Sequence, residues 1–114
     1  MSACLFCSVV DGTIQSTMVY EDEHAVAFQD IHPQAPVHIL VIPKRHVQSV
    51  QDFEDSDAEL LGHLLMVCVK LAKQKGISES GYRIVTNSGP HAGQTVPHLH
   101  FHLLGGRSMT WPPG

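Results

Sequence analysis

His98-Leu99-His100-Phe101-His102 sets three imidazoles in strict alternation with two apolar side chains, and Leu103-Leu104-Gly105-Gly106 follows. An imidazole can be a nucleophile, a general acid or base, or a metal ligand. In a β-strand the period of two puts His98, His100 and His102 on one face, with Leu99, Phe101 and Leu103 on the other. Same-face neighbours then stand about 7 Å apart, the span of a phosphate ester or a metal ion. A helix would scatter them. Val96 and Phe101 favour the strand, and the glycine pair stops it. As a nucleophile, imidazole attacks phosphorus through one nitrogen while the other donates to a fixed acceptor. A flanking histidine then bonds the phosphoryl oxygens and shifts protons, work that contributes roughly 10²- to 10⁴-fold. As a metal site, the row would leave a fourth position open for water. The competing reading is a solvated strand that happens to carry histidines.

Two further groups bear on that choice. Ser88-Gly89 and Gly93-Gln94-Thr95, in the loop before the row, offer side-chain donors and bare backbone N–H groups to an anion. Glycine-rich loops do so only occasionally, since any turn uses such residues. Cys4-Leu5-Phe6-Cys7 is a CxxC pair, half of a tetrahedral zinc site or nothing at all. His46 could add a third ligand and one of the histidine row a fourth. No βαβ pattern surrounds the pair, which argues against a redox motif. Cys68 lies on an apolar helical stripe and reads as a small core residue.

The elements that must carry these residues follow from periodicity. Cys4 to Val10 reads as one or two helical turns ended by Asp11-Gly12. Val19-Tyr20 and Ala25 to Phe28 read as strands joined by Glu21-Asp22-Glu23, and Asp30 to Pro36 as a connection. Val37 to Ile42 is a run of β-branched and apolar residues broken by His38 alone, the mark of a strand covered on both faces. Leu61, Leu64, Leu65, Cys68, Leu71 and Ala72 recur at helical spacing, with a capping box expected at Ser56 and Glu59 and Gly76 at the far end. Tyr82 to Thr86 is another strand, and Asn87 to Thr95 a loop into the histidine row. The order predicts an α+β domain with a mainly antiparallel sheet.

Bulk properties bound the function. At 114 residues the chain is expected to be one domain, with 43% hydrophobic and 16% charged residues. The formal charge is −4 and no basic run exceeds Lys44-Arg45, so the electrostatic footprint of a nucleic-acid binder is missing. No apolar run approaches membrane-spanning length, and Met1-Ser2-Ala3-Cys4 lacks the features of a signal peptide, so no membrane association and a cytoplasmic location are expected. Three cysteines fit reducing conditions.

His98 through Leu104 fits the HxHxHxx signature of the histidine triad (HIT) family. Phe28-Gln29-Asp30-Ile31, Pro33-Gln34-Ala35-Pro36, His38, Val41-Ile42-Pro43-Lys44, Leu61-Gly62-His63-Leu64, Gly81-Tyr82-Arg83, Asn87, Gly93-Gln94, Gly105-Gly106-Arg107 and the ending Trp111-Pro112-Pro113-Gly114 extend the match. Over almost the whole chain the sequence resembles the Hint branch, the purine-nucleoside phosphoramidases. The resemblance implies one HIT domain over residues 1–114, with a five-stranded antiparallel sheet, a short N-terminal helix and one long helix. It further implies a homodimer whose sheets join into one.

By position in that family, His100 would be the nucleophile that attacks the α-phosphorus of a purine nucleotide. His102 would contact the phosphoryl oxygens, and His102 and Thr95 are both candidates to protonate the leaving amine. Asn87, Gly93, Gln94 and Thr95 would line the phosphate, with Thr95 where the branch usually has Ser. Asp30 would accept from the ribose hydroxyls. Leu5, Phe6, Val9, Phe28 and Ile31 would form the apolar slot for the base, and Trp111 would reach the partner subunit's active site. The cysteines depart from much of the branch. They resemble HIT proteins that bind a structural zinc through Cys4, Cys7, His46 and His98 by position, which leaves His100 and His102 for chemistry. His32 and His91 stand where Ser and Asp are expected and receive no role. Cleavage of dinucleoside polyphosphates, done by a sister branch, and a non-enzymatic nucleotide-binding adaptor are the alternatives. The Trp-Pro-Pro-Gly ending speaks against the former.

Overall fold

The computed structural model describes residues 4–114. The expectation about a leader falls largely on Met1, Ser2 and Ala3, which lie outside the described residues. The elements are α1 (Leu5–Val10), β1 (Met18–Glu21), β2 (Ala25–Gln29), β3 (Val37–Pro43), α2 (Ala58–Gln74), β4 (Tyr82–Val85) and β5 (Phe101–Gly105). The strands form one antiparallel sheet in the order β1-β2-β3-β5-β4. This is the expected α+β architecture. No helix among the described residues is long and apolar enough to cross a membrane.

The central strands explain their own sequences. In β3, Ile39 and Val41 join Ala25, Ala27, Leu99, Phe101 and Leu103 against Leu64, Val67, Cys68, Leu71 and Ala72 of α2. On the other sheet face, Leu40 and Ile42 join Val26 and Phe28 against Phe6 and Val9 of α1. A strand buried on both faces has few positions for polar side chains, hence the apolar run Ile39 to Ile42, and its one buried polar residue, His38, is hydrogen-bonded. Each fully buried Leu or Ile contributes about 1.5–3 kcal/mol, so these two layers carry most of the fold.

Three expectations are corrected. The histidine row is not a strand along its length: β5 begins at Phe101. Its pairing with β3 stops at the Val41–Phe101 pair although β3 itself runs on to Pro43, and Leu99 N–H bonds Val47 carbonyl at 2.6 Å instead. The alternation survives without the ladder, because Leu99, Phe101 and Leu103 are all buried toward α2. The capping box at Ser56 and Glu59 is not formed. A 3-10 turn at Asp55–Asp57 precedes α2, and Asp57 Oδ2 accepts from Glu54 N–H at 2.9 Å. Leu65, assigned to the apolar stripe, is exposed.

Candidate active site

A cavity of about 480 Å³ opens on the α1 side of the sheet. Leu5, Phe6, Val9, Phe28 and Leu40 make its apolar wall. Asp30, His38, Thr95, His100 and His102 stand at its polar end, and Ile31 at its edge is largely exposed. A mostly apolar slot with a few convergent polar groups is the form of a small-molecule site. A larger depression of about 750 Å³ lies near the start of α2. Its basic groups are each taken by a carboxylate: Lys44 by Glu21, Arg45 by Asp57, His63 by Asp22 and His24 by Glu23.

Hydrogen bonds fix where the imidazole protons sit. His100 Nδ1 lies 2.7 Å from the carbonyl oxygen of His98, which can only accept, so Nδ1 carries the proton and neutral His100 keeps its lone pair on Nε2. His38 Nδ1 accepts from Gln34 N–H at 3.0 Å, which leaves the proton of neutral His38 on Nε2. That nitrogen is 2.9 Å from His102 Nδ1, which therefore accepts, and His102 carries its own proton on Nε2. One ring presents a lone pair and its neighbour an N–H donor. Their centroids are 5.0 Å apart.

Electrostatics keep His102 neutral. Burial, reinforced by the neighbouring His100 and His38 rings, pushes it down to about 4, with Asp30 only partly opposing. Burial lowers His38 as well, against the pull of the Asp30 carboxylate, whose Oδ2 is 3.4 Å from Nε2. Asp30, His38 and His102 bring three donor atoms within 4.8 Å. The Gln34 hydrogen bond on Nδ1 nevertheless places a proton on His38 Nε2, so that trio is a hydrogen-bonded relay and not a cation cage.

His98 points elsewhere. Fully buried, it turns Nδ1 toward Cys4 Sγ at 3.3 Å, Cys7 Sγ at 3.5 Å and His46 Nδ1 at 3.2 Å. Cys7 Sγ is 3.2 Å from His46 Nδ1. Zinc bonds of about 2.3 Å to sulfur and 2.0–2.1 Å to nitrogen put tetrahedral donors roughly 3.3–3.8 Å apart, so these four residues fit that ion. His98 Nε2 donates to the carbonyl of Pro43 at 3.0 Å, which fixes the tautomer with Nδ1 free to ligate. Burial lowers its proton affinity, which favours the neutral ligand form.

Of the residues expected at the site, Leu5, Phe6, Val9, Phe28, Asp30, Ile31, Thr95, His100 and His102 meet around one cavity, and Cys4, Cys7, His46 and His98 form one cluster. Asn87, Gly93, Gln94 and Trp111 do not line the cavity. The Gln94 side chain staples its own loop, accepting from Gly89 N–H at 3.0 Å and donating to the carbonyls of Gln48 at 2.7 Å and Val96 at 3.0 Å. Gly93 ends a 3-10 turn in the left-handed region at φ 83°, and Trp111 is 82% exposed. His38 was given no role, and the structure makes it a partner of His102. The signal was its alternation with Leu40 and Ile42 on β3: Leu40 pairs with His102 across the sheet and His38 sits diagonally from it.

The HIT domain family model matches residues 11–109. A 14 kDa zinc-binding protein of Zea mays is 50% identical over 115 residues, covering 99% of this chain and 89% of the relative. The crystal structure of a HIT family hydrolase from Legionella pneumophila superposes with a TM-score of 0.96 at 53% identity, over 97% of this chain and 99% of that one. A histidine triad nucleotide-binding protein from Candida albicans gives 0.83 at 34% identity, over 96% and 83% of the two chains. The chain belongs to the HIT family.

Proposed function

We propose that this single HIT domain is a Hint-type hydrolase that cleaves the P–N bond of purine nucleoside 5′-phosphoramidates in the cytoplasm. One observation carries the reading: the Nδ1 proton of His100 is spent on the His98 carbonyl, so its Nε2 lone pair is available at the polar end of an apolar cavity. That nitrogen bonds the α-phosphorus, the P–N bond breaks toward the amine, and the amine takes a proton as it leaves. Water then attacks the nucleotidyl-histidine, releasing the nucleotide and restoring the lone pair. His102 Nε2–H donates to the phosphoryl oxygens, where developing charge needs a fixed donor. The base occupies the slot of Leu5, Phe6, Val9, Phe28 and Ile31, and Asp30 accepts from the ribose hydroxyls. The loop from Asn87 to Thr95 meets the phosphate through Thr95, with Gly93 and Gln94 setting its shape.

Cys4, Cys7, His46 and His98 hold a structural zinc, whose contribution is to bind the segments that carry them. The assembly is a homodimer in which Trp111 reaches the partner subunit's site. Relatives named for hydrolysis, nucleotide binding and zinc binding support the hydrolase, nucleotide and metal parts of this reading. The test is His100→Ala assayed on adenosine 5′-phosphoramidate. Turnover is expected to fall by at least about 10³-fold, the scale on which a lone nucleophile acts, while the melting profile stays native. Wild-type turnover in that variant would sink the mechanism. Rates on diadenosine polyphosphate, expected to be far lower, separate the two HIT activities.

A further inference from the structure

We infer that the four-donor metal centre governs nucleotide affinity, because it holds in place the helix that forms one wall of the nucleotide cavity. The inference rests on the nucleotide and zinc readings above and adds a coupling between them. α1 has six residues, too few to be helical alone. Cys4 caps its N-terminus and Cys7 lies within it among Leu5, Phe6 and Val9, all three of which line the cavity. Phe6, between the two cysteines, stands edge-on to His100 at 5.1 Å and to Phe28 at 5.4 Å. The same short segment therefore bears two metal donors and the wall against the nucleophile.

What else fastens α1 is limited. Phe6 and Val9 dock in the smaller apolar cluster, with Val26, Phe28, Leu40 and Ile42. The larger core between α2 and the sheet takes no residue from α1. Release of α1 would thus leave the body of the fold intact, the condition for a local opening. His98 is the joint between the two sites. Its Nδ1 faces the cysteines, its Nε2 is tied to Pro43, and its carbonyl orients His100. Cys4 and Cys7 are accordingly positioning residues for nucleotide binding.

The experiment compares AMP affinity by calorimetry in the zinc-loaded full chain, the chelator-stripped chain and the chain reloaded with zinc. Zinc content and amide exchange are followed in parallel. Stripping is expected to weaken AMP binding by about tenfold or more, the scale of one lost aromatic contact with a base, and zinc should restore it. Amides of α1 should lose protection while those of α2 keep it. Phe6→Ala is expected to weaken AMP to a similar degree with zinc content unchanged, and to be insensitive to stripping. Equal AMP affinity with and without metal overturns the inference, as does wild-type affinity in Phe6→Ala. Failure of AMP to bind even the zinc-loaded chain marks failure of the nucleotide reading instead. A chain that takes up no zinc marks failure of the metal reading.

Discussion

At His100 the position of a single proton decides the chemistry, and a backbone carbonyl two residues away decides the proton. His102 depends in turn on His38, itself oriented by the Gln34 amide. These bonds fix the neutral tautomers of the two rings so that they face oppositely, one lone pair beside one donor. Its pH signature follows from His102, pushed down to about 4 from the usual 6.5. As pH falls below 6.5 the unfolded chain takes up this proton before the folded one does. The stability tied to neutral His102 is intact above that pH and declines toward about pH 4. Urea midpoints should therefore drop between pH 7 and pH 5, and drop less in His102→Gln. An equal drop in the variant would mean that other groups carry the acid sensitivity. That His98, His100 and His102 share one face was legible because alternation along one segment sorts side chains by face, whereas the division of labour among them was implied only by the family resemblance. His38 was not legible, since its partner is remote in sequence and adjacent only once β3 lies beside β5.

Elements with one dominant period were legible, and those shaped by a neighbour were not. β3 declared itself by its apolar run and α2 by its stripe. The start of β5 depended on Leu99 N–H turning to the Val47 carbonyl, and the start of α2 on a turn stabilised by Asp57, which also takes Arg45 at 3.0 Å. Packing at the far end of β5 makes a sharper demand. Gly105 lies under Ile77, just beyond α2, and a Cβ there would sit 2.5 Å from Ile77 Cδ1 and 3.1 Å from its Cβ. Both residues are buried, so the isoleucine cannot swing into solvent. Gly105→Ala should destabilise the fold by about 1–3 kcal/mol, the usual cost of overpacking, and lower the melting temperature. Combining it with Ile77→Ala should cost less than the sum of the two single changes, because the second makes room for the first. Strict additivity in the double-mutant cycle would show that the two side chains do not compete for one space.

At the scale of the molecule, the two sheet edges differ in a way that bears on assembly. β1 is irregular, its register shifting between Met18 and Tyr20, and bulges of this kind blunt an edge against further pairing. β4 pairs regularly with β5 along Tyr82–Val85, and all four residues are half-buried in one chain. An even edge with partly covered side chains can accept a second copy, whose own β4 would continue the sheet across a twofold axis. Trp111, 82% exposed and the sole tryptophan, then gains a surface to lie on. Sedimentation equilibrium should give twice the 12.5 kDa of one chain. A proline at Arg83 or Ile84 removes one backbone donor; in whichever of the two variants that donor faces outward, the dimer should dissociate with little loss of β5 pairing. Tryptophan fluorescence, a single-residue reporter here, should respond to AMP in the dimer and fall silent in that monomeric variant. A native chain sedimenting at 12.5 kDa, with Trp111 fluorescence indifferent to AMP, would leave the β4 edge without a partner and the active site complete in one subunit.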